Sequence, residues 1–360
     1  MQQNHLRFVD PNKSTFQKVL RQRVNNYFKE NNISKYANNQ MILKTVVLLS
    51  LYILPIVYLI LFPVSWPAGL FLWAISGFAM AGVGMSVMHD ANHESYSKSK
   101  STNNLVSFSL NLLGGYRPNW KLQHNVLHHT YTNIDGFDDD IEDKLILRFS
   151  PHTTSKWYHK IQHTYVFLFY GIMTLYWVTA KDFIQYAKYY RSNLNTNKGI
   201  DNVYAIARIT LLKILYFIGF VGLPIMYAEI PFYQVMTGFM LMHFISGVTL
   251  TTTFQLAHTV DGTQHPLPNK EGVIEDNWAI HQMKTTMNFS KKSAFLTWYV
   301  GGLNYQVEHH LFPNICHIHY PKIAPIVRSV AKEFKVPYLE HETFAQALSS
   351  HIGLMRNIAY

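Results

Sequence analysis

The run AGLFLWAISGFAMAGVGMSVMHDANH, residues 68–93, decides how the rest of the chain is read. Its first part, Ala68 to Met88, supplies the roughly 20 apolar residues a helix needs to cross a bilayer. It ends on His89 and His93, four residues apart. A helix that continues out of the membrane puts such a pair on one face, about 6 Å apart, where both imidazoles can address one metal centre. A lone pair of this kind is more often hydrogen-bonded structure, so the surrounding sequence has to decide.

Three further stretches are apolar enough to span: Ile42 to Phe62, Ile209 to Ala228 and Phe232 to Ala257. Pro63 to Pro67 separates the first two spans, and a few residues around Glu229 and Pro231 separate the last two, so the spans form two helical hairpins. Neither turn contains Lys or Arg. Arg7, Lys13, Lys18, Arg21, Arg23, Lys29, Lys35 and Lys44 lie before or at the start of the first span, which places the N-terminus in the cytoplasm and, with four spans, the C-terminus also. Two other apolar runs, residues 105–115 and 164–180, are short or borderline and are expected at the membrane interface, lying along it or dipping into it without crossing. The expected fold is an all-α integral membrane protein, one domain over residues 1–360, with a cytoplasmic helical cap.

The 360 residues are 48% hydrophobic and 15% aromatic, with a formal charge of +10. No nucleic-acid motif accompanies that charge, and a basic face beside anionic lipid is ordinary; docking of an acidic electron carrier is a second use for it. No signal peptide is expected, because the first apolar run begins only near residue 42. The single cysteine, Cys316, rules out an intrachain disulfide and a cysteine-based zinc or iron–sulfur site, so a metal here takes nitrogen or oxygen ligands.

Of the 19 histidines, many fall just beyond the spans. His124, His128 and His129 repeat the four-residue spacing with one more imidazole; adjacent residues diverge by about 100° on a helix, so the pair can serve two metals. Gln306, His309 and His310 follow the fourth span, and His258 ends it. With His89 and His93 these make eight candidate ligands. They share one side of the membrane only if residues 164–180 do not cross. An all-nitrogen set suits redox iron and also accepts zinc or copper. Asp90, Asp135, Asp139, Glu308 and Gln306 are the expected neighbours that fix imidazole orientation, although the run Asp138 to Asp140 reads equally well as solvated charge. His152, His159, His163, His243, His265, His281, His317 and His319 are read as surface, core or supporting groups. Gly82 and Gly84 are read as packing positions, and Trp120, Tyr131, Trp278 and Trp298 as tunnel lining or interface anchors.

These three groups resemble the histidine boxes of membrane fatty acid desaturases, HxxxH, HxxxHH and (H/Q)xxHH, and the segment Gln306-Val-Glu-His-His-Leu-Phe-Pro313 strengthens the likeness. The resemblance covers nearly the whole chain. It implies two irons, oxygen as co-substrate, an acyl-CoA or acyl-lipid substrate, and no catalytic side chain beyond the ligands. Gln306 in place of histidine is similar to the front-end subclass, of the linoleoyl (delta-6 or delta-5) type. Where many front-end enzymes carry His-Pro-Gly-Gly of a fused cytochrome b5, this sequence has His265-Pro-Leu-Pro268, which points to a separate donor, ferredoxin or cytochrome b5 with its reductase. A bacterial inner membrane is the expected location. The competing readings are a histidine-rich di-iron hydroxylase of alkyl, sterol or carotenoid substrates, and a metal transporter or metal-binding receptor. The second predicts polar residues midway through the spans, where only His243 and Thr249 to Thr253 are found.

Overall fold

The computed structural model describes residues 6–142, 146–195 and 197–358. Among these, four helices are long and apolar enough to cross a membrane: α2 (Asn39–Leu61), α3 (Trp66–Asn92), α7 (Ile200–Tyr227) and α8 (Phe232–His258). They cover the four apolar stretches to within two residues at the turns between them. α7 begins nine residues before the apolar stretch does, because a hydrogen-bonded helix propagates into polar sequence that a hydropathy window does not count. Side chains such as Leu54, Phe71, Phe78, Leu211 and Leu215 point outward. An apolar exterior of this kind is suited to lipid, where each helix satisfies its own backbone.

The remaining helices build a cap at one end of the four spans. In α1 (Phe16–Glu30), Phe16, Leu20, Val24 and Phe28 recur every fourth residue, form one buried stripe and pack on α9 (Trp278–Thr285), α10 (Gln306–Leu311) and α11 (Tyr320–Glu333). Two short parallel strand pairs tie loops into the cap, Arg7–Phe8 on Val273–Ile274 and Asn288–Phe289 on Glu340–His341. α4 (Lys100–Ser107) and the turn of helix after it turn Leu105, Phe108 and Leu112 outward while Leu110 and Leu113 are buried, as a segment lying along an interface does.

The run 164–180 packs against the middle of a span. It belongs to one helical stretch, α6 (residues 162–191), whose ends both meet the cap: Gln162 donates to Met355 O at 2.8 Å, and Gln185 donates to Gln123 at 2.6 Å and Asp139 at 3.1 Å. Its middle reaches the middle of α8, where Thr174 donates to His243 O at 2.8 Å. Glycines allow this depth. A Cβ on Gly247 would stand 2.5 Å from the Tyr170 carbonyl oxygen. α6 therefore enters and leaves on the cap side, and all the histidine groups remain on one face.

Candidate metal centre and cavity

α3 carries the first histidine pair out of the span. It winds as a π-helix over Val83–Val87, immediately before His89, and α5 (residues 117–131) does so over Lys121–His128, through His124 and His128. Such wide turns concentrate at functional sites and change which side chains face one way. The loop ahead of α10 presses on the first of them. Gly301 has φ +63°, and a Cβ there would stand 2.3 Å from Met85 O, so only glycine lets this backbone approach and seat the third pair beside the first.

The eight histidines expected as ligands converge. His89, His93, His124 and His309 form one group and His128, His258 and His310 a second, with ring nitrogens in each group within 4.8 Å of one another. His129 stands between the groups, its ring centroid 4.6 Å from His309 and 4.4 Å from His310. Apart from His93, which is partly exposed, all are buried.

Four of the outward nitrogens have partners, whereas Nδ1 of His89 and of His129 has none among the described residues. His124 Nδ1 meets Asp140 at 2.8 Å, His128 Nδ1 meets Asp138 at 2.9 Å, His309 Nδ1 meets the Tyr320 hydroxyl at 3.2 Å, and His310 Nδ1 meets Gln282 Oε1 at 2.8 Å. Nε2 of His93, His128, His129 and His309, and Nδ1 of His258, are buried with no hydrogen-bond partner among the described residues. Buried polar nitrogens are ordinarily paired. Burial first, and neighbouring imidazoles second, hold His124, His129, His309 and His310 well below the usual histidine range, so these rings are neutral with a lone pair to give. Neutral nitrogens aimed inward and held from behind fit a metal centre of nitrogen ligands.

The supporting groups differ in part from the sequence reading. Asp138 and Asp140 carry the histidines, whereas Asp139 points the other way, to Gln185, Tyr189 and Lys188. No hydrogen bond joins Asp135 to a histidine among the described residues. Glu308 accepts from Asn288 at 2.9 Å and Tyr338 at 2.8 Å, facing away from the cluster; burial pushes its carboxyl up to about 7. Asp90 Oδ1 lies 4.0 Å from His89 Nδ1, outside hydrogen-bond range. Gln306 Nε2 is 2.9 Å from His258 Nε2. Two supporting residues went unread in the sequence, Tyr320 and Gln282, and Trp278, read as tunnel lining or an interface anchor, instead donates its indole N–H to His129 O at 3.3 Å. Trp298 is 43% exposed, Tyr131 packs on Phe137, and Trp120 packs on His124 and lines a cavity.

That cavity, about 450 Å³, opens beside His89, His124 and Gln306 and runs between α3, α6 and α8. Gly84, Met88, Leu250, Phe254 and Met173 give it apolar walls, and Asp139, Lys181 and Lys188 stand at its polar end. A cleft of this size, apolar with a few polar groups at one end, is of the kind that takes an elongated apolar ligand.

Residues 64–342 match the family model described as fatty acid desaturase. Among characterised relatives, the chain is 36% identical to an sn-1 linoleoyl-lipid 6-desaturase of Arthrospira platensis, over 96% of this chain and 92% of that one. It is 35% identical to an acyl-lipid (8-3)-desaturase of Physcomitrium patens, over 98% and 73%. A Synechocystis sn-1 linoleoyl-lipid 6-desaturase is 34% identical, over 94% of each chain.

Proposed function

Because the chain belongs to the fatty acid desaturase family, we propose that it inserts a double bond into a lipid acyl chain, using two irons held by His89, His93, His124, His128, His129, His258, His309 and His310 and oxygen as co-substrate. The observation that carries this reading is the inward aim of neutral, unpartnered imidazole nitrogens beside an apolar cavity. Bound iron supplies the oxygen-dependent removal of two hydrogens, with oxygen leaving as water.

The chain's own residues do the rest. Asp138, Asp140, Tyr320 and Gln282 hold the outward nitrogens, which fixes each tautomer and ring angle. The walls of the cavity exclude water and hold an unreactive CH2–CH2 pair against the histidines, where correct placement replaces much of the barrier. Gln306 lines the cavity with its Oε1 buried and unpartnered, beside the second group of imidazoles. The likeness to linoleoyl-lipid 6-desaturases supports a front-end position for the new bond, on an acyl-lipid or acyl-CoA.

We propose a ferredoxin or cytochrome b5 with its reductase as the electron donor, an acidic carrier suited to a chain of formal charge +10. The basic N-terminal segment supports a cytoplasmic site in a bacterial inner membrane. The test is mass spectrometry of the fatty acids of a host that lacks polyunsaturates, supplied with linoleic acid and a donor. We expect a new double bond between the existing one and the carboxyl end; a hydroxylated product instead would contradict the reading.

A further inference from the structure

Behind the first histidine pair runs a buried polar chain that the reading above leaves unused. Asp90 Oδ2 accepts from His317 Nδ1–H at 2.7 Å, from the His317 backbone N–H at 3.3 Å and from the Cys316 thiol at 3.0 Å. On the other side of the ring, His317 Nε2 is 3.0 Å from the Lys44 ammonium, which also donates to Trp298 O. An ammonium can only donate, so the imidazole carries its proton on Nδ1, toward Asp90. Lys44, Asp90, Cys316 and His317 are all buried.

A buried carboxylate and a buried ammonium, each the other's counter-charge across one imidazole, are poor value for stability alone; apolar residues of similar volume do as well or better. Their placement suggests another use. Lys44 belongs to α2, Asp90 to α3, and Cys316 and His317 follow α10, so the chain clamps together the elements that present His89, His93 and His309. Asp90 Oδ1 remains toward His89 Nδ1 at 4.0 Å, where its charge favours a proton on that nitrogen and leaves the Nε2 lone pair pointing at His124, 3.2 Å away.

We propose that Lys44, through His317 and Asp90, is a positioning residue for the metal of the His89, His93, His124 and His309 group, although its ammonium bonds to no imidazole of that group. The inference rests on the two-metal reading and assigns this control to one of the two half-sites.

The test titrates ferrous iron, without oxygen, into the metal-free full-length protein in detergent, and follows the unfolding temperature of the metal-free protein in parallel. In Lys44→Met and in His317→Gln, we expect affinity for one of the two ions to fall about 10- to 100-fold while the other is unchanged. In the double variant Asp90→Asn with Lys44→Met, no charge remains buried alone, so the metal-free unfolding temperature should return toward wild type while the weakened affinity persists. If the double variant regains both, or if His317→Gln binds both ions like wild type, the network is structural and the proposal falls. A wild-type protein that binds no iron would instead overturn the two-metal reading itself.

Discussion

His128 owes its aim to Asp138, whose two oxygens lie 3.0 and 2.9 Å from its Nδ1 and which also accepts from the Asn133 backbone N–H at 2.8 Å. Asp138→Asn keeps the shape and removes the charge. It should lower iron affinity or turnover about 10- to 100-fold while the protein still inserts into the membrane; iron content and product yield equal to wild type would show that His128 needs no such support. The histidines were legible because helical spacing alone brings residues four apart together. Asp138 and Asp140 were not, because their contacts depend on a turn. Asn133, at φ +58°, folds the following residues back so that 138 and 140 face α5 and 139 faces α6. Glu308 misled for a related reason: it neighbours His309 in sequence, but its side chain leaves the opposite side of α10.

At the scale of elements, hydropathy found the four spans, since roughly 20 apolar residues admit few other interpretations. It did not fix how closely α6 packs on α8, because that approach is set by Gly171 and Gly247, which let two backbones meet, rather than by the hydropathy of the segment. The π-helical turns in α3 and α5 were invisible for the same reason: they arise from packing and leave no pattern in composition. α12 (Phe344–Asn357) was also unforeseen as a part of the site, and it backs the cavity through one residue. His351 Nδ1–H donates to Thr259 O at 2.7 Å, and its Nε2 accepts from the Tyr170 hydroxyl at 2.7 Å. Burial lowers its pKa from 6.5 to about 4, with the Thr259 bond acting the other way. Between these values the unfolded chain binds a proton that the folded one refuses, so stability is full above about 6.5 and is lost as pH falls toward 4. The protection factors of residues 344–357, with the intrinsic pH dependence of exchange divided out, should therefore fall between pH 7 and pH 5, and His351→Phe should flatten that dependence. Equal protection of the wild type at both pH values would contradict the assignment.

For the whole molecule, sidedness decides whether the histidine groups can share one site. Two hairpins return the chain to the same face, and α6 leaves that count unchanged because it dips and comes back, so histidines from residue 89 to residue 310 meet in one cluster. The cap then closes over them, with α1 packed on α9 and α11 in the same buried cluster as α10, which presents His309 and His310. The most direct measurement is the iron content of the purified wild-type chain beside His128→Ala and His309→Ala. About two irons per wild-type chain are expected, with a clear loss in each variant, and both variants still in the membrane and without product, since these rings are ligands rather than supports. Iron content in the variants equal to that of the wild type, or activity retained in both, would contradict the ligand assignment.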